Sequence, residues 1–232
     1  MTTRKEAVIL LSGGLDSATT LAIARRQGFE CHALTFRYGQ RHAREVQAAV
    51  HVAASMNVSD HRIIDIAPAA FAGSALIDPA MAVPKDPPNP AAGAAIPITY
   101  VPARNTVFLS YALALAEALG SFDIFIGVNA TDYSGYPDCR AEFIAAYEKM
   151  ANLATAAAVE GRGVYHIHAP IIHMTKAEIV RTGMELGVDY SLTHSCYDPT
   201  PDGRACGRCD SCRLRLRGFA QAGLTDPAQY AL

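Results

Sequence analysis

The chain has 232 residues, 50% of them hydrophobic and 18% charged, enough to bury a substantial core and too apolar for a disordered polymer. A formal net charge of −2 argues against a broad electrostatic grip on nucleic acid, so no direct nucleic-acid partner is expected. No apolar run reaches the length of a membrane span, and the N-terminal Met-Thr-Thr-Arg-Lys-Glu lacks a signal-peptide core, so a cytoplasmic protein with no membrane partner is expected.

In chain order, residues 8–11 form a short apolar run suited to a parallel strand buried on both faces. Ser12-Gly13-Gly14 breaks that run, and a helical pattern begins at Ser17 and closes at Gly28. Residues 30–36 read as a second strand, 41 to about 56 as a helix, and 62–66 as a third strand. Between 67 and 102 the rhythm stops at Pro84, Pro87, Pro88, Pro90 and Pro97; a linker is one reading, a substrate-proximal flap the favoured one. A helix then runs from about Arg104 to Leu119, with Phe108, Tyr111, Leu115 and Leu119 expected on its apolar face and Gly120 as its stop. Residues 122–127 read as a strand and 128–140 as a polar loop, followed by a helix through about Ala158 and a strand at 165–169. A Thr175-capped helix ends at Leu186-Gly187. Such alternation implies right-handed crossovers and a parallel sheet, with ligands at the carboxyl ends of the strands.

Two stretches carry chemistry. A strand, a glycine turn and a helix start at 12–17 bring free N–H groups and the positive end of a helix dipole to one point, which is an anion site. It lacks the Lys-Ser/Thr pair of a Walker A loop, and the third glycine and later acidic residue of a dinucleotide fingerprint. A plain turn capped by Ser or Asp is the alternative. The second stretch is Cys206-x-x-Cys209-x-x-Cys212, with Cys196 upstream. Four thiolates at this spacing suit a tetrahedral structural zinc; iron–sulfur ligation and disulfides are the lesser alternatives, since no fourth Cys-Pro follows and no export signal is seen. Cys31 reads as a small core residue, and Arg213, Arg215 and Arg217 as a solvated helix face.

Ser-Gly-Gly-Leu-Asp-Ser at 12–17 resembles the PP-loop of the N-type ATP pyrophosphatases, which split ATP into AMP and pyrophosphate. With Tyr38-Gly39-Gln40-Arg41-His42, Pro102-Ala103-Arg104-Asn105, the stretch from Asp132 to Arg140, Lys176-Ala177-Glu178 and the four cysteines, the chain resembles the 7-cyano-7-deazaguanine synthase family from Val8 to about Pro227. The fold so implied is an α/β, parallel-sheet, Rossmann-like PP-loop fold of the adenine nucleotide alpha hydrolase type. Residues 1–192 would form the ATP-binding domain and 193–232 a zinc-binding segment.

The same resemblance implies that Leu10, Leu11, Ser12, Gly13, Gly14, Leu15, Asp16, Ser17, Ala18, Thr19 and Thr20 bind ATP, with Mg²⁺ as its counter-ion. Asp16, Lys176 and Arg104 would be catalytic, Lys176 neutralising phosphate charge unless it is only an exposed first-turn lysine. Asn105, Tyr133, Tyr136, Asp138 and Arg140 would take the flat heterocyclic acid. The implied substrates are 7-carboxy-7-deazaguanine, ammonia and ATP, the implied metal is zinc on Cys196, Cys206, Cys209 and Cys212, and a homodimer is implied. His42, His173 and His194 are noted as polar groups beside matched segments. Rival readings are a tRNA-thiolating enzyme using Cys139, an ammonia-dependent synthetase for a different acid, and a non-enzymatic nucleotide-binding module.

Overall fold

The computed structural model describes residues 5–41, 44–86, 96–131 and 135–231. Its strands β1 (Glu6–Leu10), β2 (Glu30–Arg37), β3 (Asp60–Asp65), β4 (Asp123–Phe125) and β5 (His166–His168) form one parallel sheet in the order β3-β2-β1-β4-β5. The helices are α1 (Leu15–Arg26), α2 (Arg44–Ser55), α3 (Arg104–Leu119), α4 (Ala141–Ala154), α5 (Ala156–Val159), α6 (Lys176–Glu185) and α7 (Asp210–Ala222). This is the α/β fold expected from the alternation.

β1 is covered on both faces because its alternate side chains enter different cores. Val8 and Leu10 pack with Leu109 of α3, Ile144 of α4 and Ala157 of α5. Ala7 and Ile9 pack with Leu21 of α1, Val52 of α2, Ile179 of α6 and Phe219 of α7. A strand in that position must be apolar at every residue, which is the run seen in the sequence. Helix α7, in the segment expected to begin at 193, thus shares a core with α1 and α6.

Several boundaries move for local reasons. α1 begins at Leu15 rather than Ser17, because Gly14 takes the extended N-cap conformation and the helix follows at once. The single helix expected up to Ala158 is α4 and α5, parted at Thr155, whose backbone is extended while its hydroxyl donates to the Ala151 carbonyl. On α3 the buried apolar residues are Leu109, Ala112, Leu113 and Ala116, and Tyr111 of the expected apolar face is 43% exposed. The small residues lie against the sheet, where backbones approach closely. The aromatic ones flank it, with Phe108 stacked on Phe36 at 4.1 Å between ring centroids.

Over its described first half, the 67–102 stretch is packed onto the rest of the chain. Phe71, Ala75, Leu76 and Val83 are buried, and Ala75 and Val83 pack against Cys196, Cys209 and Cys212. Arg41 donates to the carbonyls of Asp78 and Met81, Lys85 pairs with Asp198 at 2.7 Å, and Asp86 pairs with Arg208 at 2.7 Å. These bonds strap residues 74–86 onto the cysteine segment. Residues 87–95 lie outside the described residues.

Candidate active site

In a parallel sheet the crevice forms where the strand order reverses. Here β1 pairs with β2 on one side and β4 on the other, so the crevice opens at the carboxyl ends of β1 and β4. α1 starts in it. A Cβ on Gly127, just past β4, would sit 3.0 Å from the Ser17 nitrogen, so the first turn of α1 rests directly on that strand end. Gly14 caps α1 without a side-chain hydrogen bond, so the helix is not closed by Ser or Asp as a plain turn would be. The Ser12 and Ser17 hydroxyls lie 3.0 Å apart, and Ser17 also donates to the Gly14 carbonyl. Ser12, Gly14, Leu15, Asp16 and Ser17 line a cleft of about 220 Å³.

Gly13 is buried behind this loop. Its φ is +85°, and a Cβ there would lie 2.3 Å from the Glu45 carbonyl oxygen and 2.5 Å from the Ala49 nitrogen. Both neighbours are backbone of α2 and cannot rotate away. Gly13→Ala should therefore cost about 1–3 kcal/mol in backbone strain, with overpacking added. Urea unfolding of the variant measures it, and an unchanged midpoint would show that the loop backs away freely. Among the residues expected to bind ATP, Ala18, Thr19 and Thr20 are turned into the core rather than the cleft. Thr19 donates to the Leu15 carbonyl and bonds the Tyr190 hydroxyl at 2.7 Å, tying α1 to the turn after α6.

Two of the expected catalytic residues meet. Lys176 is buried at the start of α6, with its Nζ 2.8 and 2.9 Å from the two Asp16 oxygens. It is not the exposed lysine that a first-turn position suggests: the Thr175–Glu178 capping box sets where the helix begins, and Asp16 and α7 cover the side chain. Gly218 of α7 leaves the room: a Cβ there would lie 2.4 Å from the Lys176 Cγ.

The far end of the cleft is aromatic and cationic. Ala103 enters α3 in a left-handed conformation, φ +54°, and the next residue, Arg104, donates to the Tyr38 hydroxyl at 3.2 Å. Its guanidinium lies 5.9 Å from both the Tyr38 and the Phe108 ring centroids. Asn105 is committed to holding the 136–139 turn: its backbone N–H donates to the Asp138 carboxylate and its side chain to the Asp138 carbonyl. Asp138 is buried and does not line the cleft; burial raises its pKa against the pull of the Asn105 N–H and Arg104. Tyr136 and Cys139 do line it, with Tyr136 held by Thr99 at 2.7 Å. Arg140 is exposed and does not line the cleft, Tyr133 and His42 lie outside the described residues, and His173 is exposed. His194 lines the cleft beside the PP-loop.

Glu45 carries no mark of a site residue in the sequence. It sits in the first turn of α2, where a carboxylate looks like ordinary helix surface, yet it lines the cleft next to Tyr38 and Arg104. Burial pushes its pKa up to about 7, against the lowering pull of Arg104.

The cysteine segment also reaches the cleft. The sulfurs of Cys196, Cys206, Cys209 and Cys212 lie within 4.8 Å of one another and can hold one metal ion. Backbone N–H groups of Cys206 and Asp198 donate to the Cys196 sulfur, and those of Arg208 and Cys209 to the Cys206 sulfur, which is how thiolate ligands are stabilised. On either side of Cys196, Ser195 and Tyr197 line the cleft. The Leu15 N–H donates to the Ser195 hydroxyl at 3.5 Å, and the His194 N–H to the Gly13 carbonyl at 2.9 Å. Arg215, expected on a solvated face, is 3% exposed. It pairs through Nε and Nη2 with Asp226 and donates through Nη1 to Thr193 and Ser195, because the segment after α7 folds back over it.

Comparison with known proteins places this arrangement. The family model described as queuosine biosynthesis protein QueC matches residues 6–223. A relative from Paramagnetospirillum magneticum named 7-cyano-7-deazaguanine synthase is 65% identical over 227 residues, covering 98% of this chain and 99% of its own. One of that name from Geobacter metallireducens is 62% identical over 227 residues, covering 98% and 94%. Among solved structures, an NMN synthetase from Francisella tularensis aligns with a TM-score of 0.50 at 18% identity, over 96% of this chain and 79% of its own, a likeness of fold. On the full-length match of model and relatives together, the chain belongs to the QueC family.

Proposed function

We propose that this chain is a 7-cyano-7-deazaguanine synthase: a ligase that uses ATP to convert 7-carboxy-7-deazaguanine and ammonia into the nitrile, in queuosine biosynthesis. Family membership supports the overall reaction. The observation that carries the chemistry is the start of α1, opened by Gly14 rather than by a capping side chain and ringed by the hydroxyls of Ser12, Ser17 and Ser195, beside the Asp16–Lys176 pair; it suits the pyrophosphate of ATP.

A carboxylate is a poor electrophile. Its oxygen attacks the α-phosphorus of ATP, pyrophosphate leaves, and the acyl-adenylate carries a good leaving group. Ammonia adds to the acyl carbon, AMP departs, and an amide remains. The amide oxygen is adenylated by a second ATP, and loss of AMP with the last nitrogen proton leaves the nitrile. In both adenylations Ser12, Gly14, Leu15 and Ser17 hold the leaving pyrophosphate. Lys176 supplies the positive charge that its departure needs. Asp16 would hold Mg²⁺, which supplies further charge neutralisation at the phosphates. Tyr136, Arg104 and the stacked pair Phe36 and Phe108 form a flat, cationic end suited to a heterocyclic acid.

The four cysteines would hold zinc as a structural ion. A tetrahedral Zn–S length near 2.3 Å puts sulfurs about 3.8 Å apart. The four sulfurs, within 4.8 Å of one another, are close to that spacing, which favours a single ion. A homodimer in the cytoplasm belongs to the same proposal. Sulfur transfer to tRNA is disfavoured by Cys139, whose thiol burial pushes up to about 12, so that it is no nucleophile at neutral pH.

The test is to incubate the protein with Mg·ATP, ammonium and 7-carboxy-7-deazaguanine, following nucleotide and deazapurine by mass spectrometry. Two AMP and two pyrophosphate per nitrile are expected. Amide as the only product would make the chain an amide synthetase, and ATP bound without AMP release would make it a binding module.

A further inference from the structure

We propose that Glu45 is the general base that takes protons from the nitrogen as the acyl-adenylate becomes an amide and the amide becomes a nitrile. The inference rests on the reaction proposed above and assigns a step that neither the PP-loop nor the Asp16–Lys176 pair performs.

Adenylation of a carboxylate requires no proton transfer, but every later step does. When ammonia adds to the acyl carbon, the new C–N bond leaves a positive nitrogen, which must lose a proton as the C–O bond to AMP breaks. Adenylation of the amide forms an O–P bond, expels pyrophosphate and releases one N–H proton to give an imidate. The second N–H proton leaves as the remaining C–O bond breaks, AMP departs and the triple bond closes. A carboxylate can accept each proton in turn and pass it to water between steps.

Few groups in the cleft suit this task. Both oxygens of Asp16 are bonded to Lys176. Asp138 lies outside the cleft lining, beneath the Asn105 N–H. The Cys139 thiol holds its proton at neutral pH. His194 is on the phosphate side, its backbone bonded to Gly13. Glu45 lines the cleft between the PP-loop and the aromatic end: its carbonyl backs Gly13, and its carboxylate feels the charge of Arg104 on α3. No hydrogen bond or ion pair to the Glu45 carboxylate is found among the described residues. Its pKa near 7 keeps about half of it ionised at neutral pH and leaves it a strong enough base to take a proton from the nitrogen.

The experiment compares wild type with Glu45→Gln and Glu45→Asp. Four quantities are read: acid-dependent exchange of labelled pyrophosphate into ATP without ammonia, kcat and KM for nitrile formation, and the ratio of amide to nitrile. Glu45→Gln should keep the exchange and the KM for the acid within a factor of about three, while kcat falls about 10²–10⁴-fold. Supplied with the amide and ATP, it should again make nitrile slowly. Glu45→Asp, which keeps the carboxylate on a shorter arm, should recover part of the rate, and serves alone should the glutamine variant not fold. Exchange falling in step with kcat, or a raised KM at unchanged kcat, would make Glu45 a binding residue and overturn the inference. Wild type making no nitrile at all would overturn the reaction itself.

Discussion

Cys209→Ser or Cys212→Ser should abolish the metal binding proposed for the four cysteines, and with it synthase activity, while Cys31→Ser should keep both. Cys209 is 0% and Cys212 1% exposed, so a poorer ligand there has no water to complete the coordination. Cys31 is equally buried but packs in the separate core of α1 and α6. The metal segment anchors residues 74–86 through Lys85–Asp198 and Asp86–Arg208, and it anchors Ser195 and His194 against the PP-loop. Losing the ion therefore loosens one wall of the cleft as well as the cysteine loop. Loss of a structural metal belongs to the mutational class that exceeds about 4 kcal/mol. At roughly 2–4 °C per kcal/mol for a chain of this size, the melting temperature should fall by about 10 °C or more. Elemental analysis gives the stoichiometry and calorimetry the shift. A metal-free variant that still made nitrile at the wild-type rate would show that the 193–197 loop holds the PP-loop unaided.

The sheet is legible in the sequence because each of its signals is local. An apolar run without alternation marks β1, a Gly-Gly turn marks its exit, and Thr175 with Glu178 marks the start of α6. The four cysteines are equally legible, since close spacing on one loop largely fixes which sulfurs can meet. The failures share a different cause: they depend on what another part of the chain does. Arg215 looks like one of three solvated arginines until Asp226 folds back over it. Prolines in the 67–86 segment exclude helix and strand and mark it as an excursion, and Leu76 does reach the cleft, but what packs the segment down is not local. Its anchors, Asp198 and Arg208, are more than a hundred residues away. Asn105 lines the cleft as a substrate residue would, but its second task, donating to Asp138 in the polar loop after β4, has no local signal. Glu45 has no local signal at all. Its surroundings come from the start of α3, the end of β2 and the PP-loop, three segments that only the parallel topology brings together.

Asp16→Asn, Lys176→Met and the double variant should separate what this pair does for the fold from what it does for ATP. Lys176 has an 8% exposed side chain and Asp16 one of 26%, so the two are unequal in what their loss leaves behind. Asp16→Asn removes the carboxylate bonded to the buried Lys176 ammonium beside α7 and should cost up to about 3–5 kcal/mol. Lys176→Met leaves a carboxylate that water still reaches, and should cost less. The double variant removes both charges and should regain most of the stability lost in Asp16→Asn, because a buried pair is worth little against an apolar replacement. Activity should not follow. A preorganised charge aimed at a leaving group contributes about 10²–10³-fold in kcat, so Lys176→Met and the double variant should both lose pyrophosphate exchange by at least that factor. Urea unfolding and the exchange assay measure the two effects on the same samples. If stability and exchange recovered together in the double variant, Lys176 would be a packing residue with a charged end. If only stability recovered, its charge serves the phosphates.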